Sequence, residues 1–503
     1  MMSLNQGVDP RTGQPVGDPI PDTGPEQVRS AVRRAADCAP RLAGMPYADR
    51  GRLLNALATA LRQHDDELIE LADRETALGR PRLPGELART AAQLDMFADV
   101  LRDGAFCEAV IDRPDANAVP PHGDLRRMLV PLGPVAVFAA SNFPFAFSVL
   151  GGDTASALAA GCPVVVKAHP GHPGLSQRVA DLATEALAEA GAPDGTLSVV
   201  HGYEAGPALV TDPSIRAVGF TGSTGGGRAL YDLAVGRDDP IPFYGELGSV
   251  NPVVVTEAAV EARGREIAEG LAGSFRLGTG QFCTKPGVVL VPADSGFDAQ
   301  VADVVRPSEP TPMLTARMRD AYQAGLAAFT DVPGVRAVVA AEPLDADGHD
   351  VLPAVLAVDA ETFAAHADVL AGECFGPVTV LVEYRDRDSL HRALRAVPGS
   401  LTGSLHAEPG DPAAADVVAT LRDGVGRIIV NGWPTGVAVT WSQHHGGPWP
   451  ATTDPLHTSV GATAIRRFLR PVSYQDVPDE LLPAELQDAN PLGLPRRVDG
   501  ALT

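Results

Sequence analysis

Between residues 133 and 247 the sequence alternates short apolar runs with stretches of helical spacing, and this alternation limits the possible folds more than any other feature. "PVAVFAA" precedes a helical pattern over 147–160 and "PVVVKAH" precedes another over 174–190; "LSVVHG" and then "RAVGFTGS" follow, the last leading into a helix. Apolar runs this short, alternating with helices, build βαβ units around a parallel sheet. A second α/β stretch runs from "NPVVV" to "GRIIVNG" (426–432), with strand-like "PGVVLVP" and "GPVTVLVEY". The spacing predicts helices from Pro25 to about Asp103, paired strands bridged by "PLGP" within 125–140, and one more strand in "RRFLRPVSYQ" (466–475). The first 20 or so residues, rich in Gly and Pro, read as an extended arm. A chain of 503 residues exceeds what a single core usually supports, so two or three domains are expected.

Charge narrows the partners. Lys and Arg total 40 against 63 Asp and Glu, a formal charge of -23 that repels phosphate backbones and anionic lipid. Neither nucleic acid nor membrane is an expected partner. No apolar run reaches the roughly 18 residues of a transmembrane helix, and the N-terminus shows no signal-peptide pattern. The five cysteines have no CxxC or metal-ligand spacing, which fits a reducing cytoplasm.

Chemistry concentrates in a few stretches. "LGTGQFCT" sets Cys283 beside Gly278 and Gly280, which would let backbone approach a substrate closely. In "FYGELGSVNP", Glu246 sits among apolar residues and a glycine, surroundings expected to raise its pKa towards that of a general base. "GFTGSTGGGRAL" is a strand end, a Gly-rich turn and a helix start, suited to a pyrophosphate although it lacks GxGxxG. Lys167 ends a strand where open α/β sheets bind ligands. Asn142 in "ASNFPFAFS" could donate to an oxyanion. "GECFGPV" places Glu373 and Phe375 in a turn, and His444 and His445 adjoin without a third metal ligand nearby, so no metal is expected. Each stretch alone also has an ordinary structural reading, as a loop, a cap or a strand-end ion pair.

Together, and in this order, "SNFPF", "VVVKAHP", "FTGSTGGG", "ELGSVNP", "GQFCTKPG" and "ECFGP" resemble the aldehyde dehydrogenase superfamily over nearly the whole chain. "VNGWPTGV" and "HHGGPWPATTD" add a likeness to its 2,5-dioxovalerate (α-ketoglutaric semialdehyde) and bacterial long-chain aldehyde dehydrogenases. The resemblance implies an α/β fold with a Rossmann-like cofactor domain (1–115 and 135–247), a catalytic thiol domain (248–432), a small β oligomerisation flap (116–134 and 464–485) and a segment lining the active site (433–463). It implies Cys283 as nucleophile, Asn142 as oxyanion donor, Glu246 as the base activating water and His445 as an auxiliary. Lys167, His169, Gly222, Ser223, Gly227, Glu373 and Phe375 would then hold the cofactor, and the assembly would be a homodimer or homotetramer.

Two departures from the family pattern stand out. Where NAD-preferring members commonly carry a glutamate three residues after the cofactor lysine, this chain has Pro170, with His169 and His172 close by, so NADP is expected to be preferred and NAD accepted. Arg276 and Lys285 flank Cys283; Arg276 is expected to meet a substrate carboxylate, while Lys285 has no evident role. Phe147, Trp433, Trp441 and Trp449 suggest an apolar pocket wall. The alternatives carried are cysteine-dependent acyl transfer or thioester hydrolysis without hydride transfer, a long-chain aliphatic substrate, and a non-catalytic relative.

Overall fold

A computed structural model describes residues 4–344 and 348–503. The chain opens with a hairpin in place of the expected extended arm: β1 (Leu4–Val8) and β2 (Pro15–Pro21) pair antiparallel. Four helices follow, α1 (Pro25–Ala43), α2 (Tyr47–Gln63), α3 (Asp65–Thr76) and α4 (Leu83–Asp103). Leu83, Leu87, Ala91, Leu94, Ala98 and Leu101 give α4 a buried stripe at three- and four-residue steps, which seats it on the core. Gly104, at φ 74°, supplies the left-handed residue that ends the helix. Next come β3 (Val110–Asp112) and β4 (Leu125–Pro131).

The first parallel sheet contains β5 (Val135–Phe138), β6 (Val164–Lys167), β7 (Leu197–Val200), β8 (Ala217–Thr221) and β9 (Phe243–Glu246), in the order β7-β6-β5-β8-β9. Interspersed are α5 (Gly152–Ala160), α6 (Pro173–Glu189), α7 (Ala205–Thr211) and α8 (Thr224–Val235). Every residue of β5 and β6 is buried, as in sheets covered on both faces. The order reverses at β5, so a crevice lies beyond the carboxyl ends of β5 and β8, the usual ligand position in such sheets. Helix α5 starts later than the spacing predicts because Gly151 turns tightly: a Cβ there would lie 2.5 Å from the Ala146 carbonyl oxygen.

The second sheet is built from β10 (Val253–Val255), α9 (Glu257–Arg276), β11 (Val288–Pro292), α10 (Phe297–Val305), β12 (Thr311–Pro312), α11 (Ala316–Thr330), β13 (Arg336–Val339), β14 (Asp350–Val351), β15 (Ala354–Asp359), α12 (Ala360–Ala365), α13 (Ala367–Leu370), β16 (Val378–Tyr384), α14 (Arg387–Ala396), β17 (Ser400–His406), α15 (Ala414–Gly424) and β18 (Val425–Val430). Its order is β13-β15-β16-β11-β10-β17-β18, with only β13 antiparallel to its neighbour; β12 and β14 pair separately.

A third sheet, β19-β4-β3-β20-β21, is completed by β19 (Leu469–Gln475), β20 (Arg497–Val498) and β21 (Ala501–Leu502). β19 runs antiparallel to β4, from Leu469 opposite Pro131 to Gln475 opposite Leu125. The expected pairing within 125–140 does not occur. β4 pairs with β3 and β19, and β5 with β6 and β8, because the proline-rich "PLGP" carries the chain from one sheet into another. No helix among the described residues is long and apolar enough to cross a membrane.

Candidate active site

The loop after α9 reverses through three consecutive left-handed residues, Gly278, Thr279 and Gly280, with φ of 54°, 58° and 66°. The two glycines meet protein, in place of the substrate approach expected for them. A Cβ on Gly280 would fall 2.2 Å from the Gly376 carbonyl oxygen, and one on Gly278 would fall 2.8 Å from Arg82 Nη1. Beyond this turn the backbone is fixed by Asn251, a buried residue at φ 57°. Its Nδ2 donates to the carbonyls of Cys283 (2.7 Å) and Lys285 (3.0 Å). Its Oδ1 accepts from Ser249 Oγ (2.7 Å), the Thr402 N–H (3.1 Å) and Thr402 Oγ1 (3.0 Å). Asn251 was not singled out by its sequence; only its place ahead of a proline in "SVNP" marks it.

Cys283 Sγ lies 3.6 Å from His445 Nε2, and the same nitrogen lies 2.9 Å from Glu246 Oε1. Ser459 Oγ donates to the other carboxylate oxygen at 2.7 Å. Glu246 ends β9, and the segment bearing His445 and Ser459 is tied to it by an isolated bridge between Glu246 and Thr452 and by the Leu247 N–H on the Ala451 carbonyl (2.8 Å). Burial alone would push the Glu246 carboxyl up, as its sequence suggested. The outcome is the reverse: the charge of His445 and hydrogen bonds from His445, Ser459 and Cys283 outweigh burial and hold it below the ordinary carboxylate value. The Cys283 thiol is pushed well up by burial and by the charges of Glu246 and Glu373. Glu246, Cys283 and His445 offer ligand atoms within 4.8 Å of one another, so the fold supplies the partners that the histidine pair lacked in sequence. His444 does not join them.

Asn142 is buried in the turn after β5 and donates one Nδ2 hydrogen to the Gln281 carbonyl at 2.9 Å, two residues before the cysteine. An amide nitrogen carries two hydrogens, so the second remains available to another acceptor. Phe147 is buried, its ring 5.3 Å from Phe143 and 6.3 Å from His445. It packs with Ala140, Ala146, Val460, Val437 and Val439 in one apolar cluster. The tryptophans expected there lie elsewhere. Trp433 stacks on His406 (4.6 Å) and crowds Gly270 of α9, while Trp441 and Trp449 are exposed. Arg276 differs likewise from its expected place: its Nε donates to the Ala272 carbonyl at 2.8 Å and its Nη1 to Ser308 Oγ.

In the crevice, Lys167 is buried at the end of β6 with its ammonium 5.1 Å from the Tyr203 ring centre; burial pushes it down to about 8 against the opposing charge of Asp22. Burial, His172 and Lys167 push His169 well below the ordinary histidine value, and its Nδ1 accepts the Gly171 N–H at 3.0 Å. Ser223 caps α8 by accepting the Gly226 N–H at 3.3 Å, and the Gly222 N–H reaches the Glu246 carbonyl at 3.0 Å. Gly227 is required by the close approach of Leu247, 2.2 Å from where a Cβ would stand. Glu373 accepts the Ser249 N–H at 3.3 Å; a Cβ on Gly248 would lie 2.6 Å from Glu373 Oε2 and 2.7 Å from Thr224 Oγ1. Glu373 and the start of α8 thus converge on one glycine. Phe375 lies half-buried on the same loop as Glu373. Lys285 acquires a clear role: its buried Nζ donates to the carbonyls of Cys374 (2.9 Å) and Val378 (2.8 Å), binding that loop to the cysteine loop.

The family model described as "Aldehyde dehydrogenase family" matches residues 5–448. Alpha-ketoglutaric semialdehyde dehydrogenase 2 of Azospirillum brasilense is 46% identical over 98% of this chain and 95% of that protein. Alpha-ketoglutaric semialdehyde dehydrogenase of Acinetobacter baylyi is 39% identical over 97% and 94%. Among solved structures, methylmalonate-semialdehyde dehydrogenase from Oceanimonas doudoroffii superposes with a TM-score of 0.80 at 21% identity, covering 95% of each chain. The 1-pyrroline-5-carboxylate dehydrogenase from Thermus with bound NAD does so with 0.79 at 21% identity, covering 94% of this chain and 90% of that one.

Proposed function

The chain belongs to the aldehyde dehydrogenase family, oxidoreductases acting on aldehydes with a nicotinamide dinucleotide, and from that premise we propose that its substrate is a semialdehyde acid, α-ketoglutaric semialdehyde in the first place. The observation that supports an aldehyde-oxidising site in this chain is the meeting of Cys283, His445 and Glu246 beside the Asn142 amide. Two relatives named for that substrate, alike over almost their whole length, support the choice of aldehyde.

In this reading Cys283 Sγ, once deprotonated, attacks the aldehyde carbon to give a tetrahedral thiohemiacetal. The free Nδ2 hydrogen of Asn142 and the Cys283 N–H hold the oxyanion, an interaction worth about 3–4 kcal/mol in comparable sites. Loss of a hydride from that carbon leaves a thioester on Cys283. Glu246, a carboxylate because its pKa is held down, takes a proton from the water that hydrolyses the thioester, and the acid departs. A bound nicotinamide dinucleotide supplies the hydride acceptor. Its residues here would be Lys167 and His169 at the adenosine ribose, Gly222, Ser223 and Gly227 at the pyrophosphate, and Glu373 and Phe375 at the nicotinamide end. The open N-terminus of α8, where Gly225 has no atom within 4 Å of its Cβ position, suits a pyrophosphate.

NADP is preferred over NAD in this proposal, since position 170 is a proline and Lys167 carries the local positive charge. We assign 1–115 and 135–247 to the cofactor domain, 248–432 to the thiol domain, 116–134 and 464–485 to a flap joining copies in a homodimer or homotetramer, and 433–463 to the lining segment. Five free cysteines suit the cytoplasm. The test is formation of reduced cofactor from α-ketoglutaric semialdehyde with NADP and with NAD. Turnover that survives Cys283→Ser overturns the mechanism. A tenfold better kcat/KM with NAD overturns the cofactor preference.

A further inference from the structure

Helix α4 carries polar side chains within its buried half. Arg82, at the N-cap of α4, and then Glu86, Arg89 and Gln93 follow at steps of four, three and four, one face of a helix. Arg82 is largely engaged: Nη2 donates to the Asn142 carbonyl and meets Glu86 at 3.4 Å, and the guanidinium lies 4.7 Å from the ring centres of both Phe143 and Phe282. Glu86 is engaged too, accepting the N–H groups of Phe145 (2.9 Å) and Ala146 (3.1 Å).

Arg89 differs. Its guanidinium lies 5.7 Å from the centre of the Phe147 ring, the aromatic neighbour of His445. Its buried Nη1 has no hydrogen-bond partner among the described residues, and neither has Nη1 of Arg82. Burial pushes both guanidiniums down, while Glu86 and Cys283 push both back up and Glu246 adds to the effect on Arg89. Both cations therefore stand within electrostatic reach of the nucleophile. A buried guanidinium N–H left without an acceptor is costly. An anion entering from the substrate side would remove that cost.

We propose that Arg89, about two helical turns on from Arg82 and its free Nη1, forms the carboxylate end of the substrate pocket, holding a semialdehyde acid by its distal carboxylate while the aldehyde carbon meets Cys283. This rests on the semialdehyde-acid reading given above, and it moves carboxylate recognition from Arg276 to α4. A guanidinium offers a planar fork that matches a carboxylate. An uncharged aldehyde leaves both Nη1 atoms unpaired, and such a site discriminates by the penalty of unpaired polar groups.

The test compares wild type with Arg89→Gln and Arg89→Lys on α-ketoglutaric semialdehyde and on hexanal, and measures glutarate as a competitive inhibitor of hexanal oxidation. In Arg89→Gln the ratio of kcat/KM for the semialdehyde to that for hexanal falls at least tenfold, mostly through KM. Glutarate inhibition weakens by a similar factor, and Arg89→Lys recovers part of both. Equal losses on both aldehydes, or glutarate inhibition indifferent to position 89, overturn the carboxylate site. If wild type prefers hexanal while glutarate inhibition still depends on Arg89, the substrate reading falls and the anion site stands.

Discussion

Asn251 is the residue whose removal should cost the most for its size. Its side chain makes five hydrogen bonds, two of them to the carbonyls of Cys283 and Lys285. A typical hydrogen bond contributes about 0.5–1.5 kcal/mol net, and a buried group left unpaired costs about 1–3 kcal/mol. Asn251→Ala strands several such groups, and it also forces alanine into a left-handed backbone at φ 57°, a further cost of about 1 kcal/mol. A total of about 4–6 kcal/mol is expected, allowing for some repacking. Asn251→Gly relieves the backbone cost and keeps the rest, so it should be about 1 kcal/mol better than alanine. Asn251→Asp keeps the shape but sets oxygen against the two carbonyls, and should slow thioester formation even at a temperature where it remains folded. The assays are urea unfolding for stability and single-turnover formation of reduced cofactor for positioning. An Asn251→Gly variant within about 1 kcal/mol of wild type, with unaltered single-turnover rate, would refute the claim that this amide fixes the cysteine loop.

Asn142→Ala should lower kcat by a hundred- to thousandfold with a small change in KM, the pattern of a lost oxyanion donor; a pure KM effect would remove it from that role. Ser459→Ala takes a donor from Glu246, so its carboxyl should rise and the acid limb of the kcat profile should move to higher pH; an unmoved limb would show that Glu246 is not the group titrating. Lys167 sits near 8 when folded against an ordinary 10.5, so below about pH 8 its charge opposes folding by about 3 kcal/mol, a penalty relieved as pH rises towards 10.5. Lys167→Met should therefore melt higher than wild type at neutral pH while its KM for NADP increases at least tenfold; a lower melting temperature would contradict this.

The parallel strands were legible because strands covered on both faces are written as uninterrupted apolar runs, as in "VVVK". Cys283, Glu246 and Asn142 were legible because each lies in a short distinctive stretch. What depends on distant meetings was hidden. The sign of the Glu246 shift follows from His445, 199 residues away, whereas its neighbours in sequence spoke only of burial. Lys285 looked like a stray charge until its ammonium was seen between two carbonyls of another loop. Arg276 was nearest the cysteine in sequence, yet Arg82 and Arg89 arrive from a helix nearly 200 residues earlier. "PLGP" resembled a hairpin turn because local signals cannot show that two adjoining strands enter different sheets.

The imidazole of His445 presents one nitrogen, Nε2, to both Cys283 and Glu246, and a ring nitrogen carries a single hydrogen. With that hydrogen on Nε2, the carboxylate has its donor and the thiol faces only the carboxylate as a base. With the hydrogen on Nδ1, Nε2 can receive the thiol proton, but the carboxylate loses a donor. The two tautomers offer the sulfur and the carboxylate different partners, so the placement of one hydrogen is felt at both. Whatever moves that one nitrogen therefore disturbs the nucleophile and the base together, and neither can be tuned without the other.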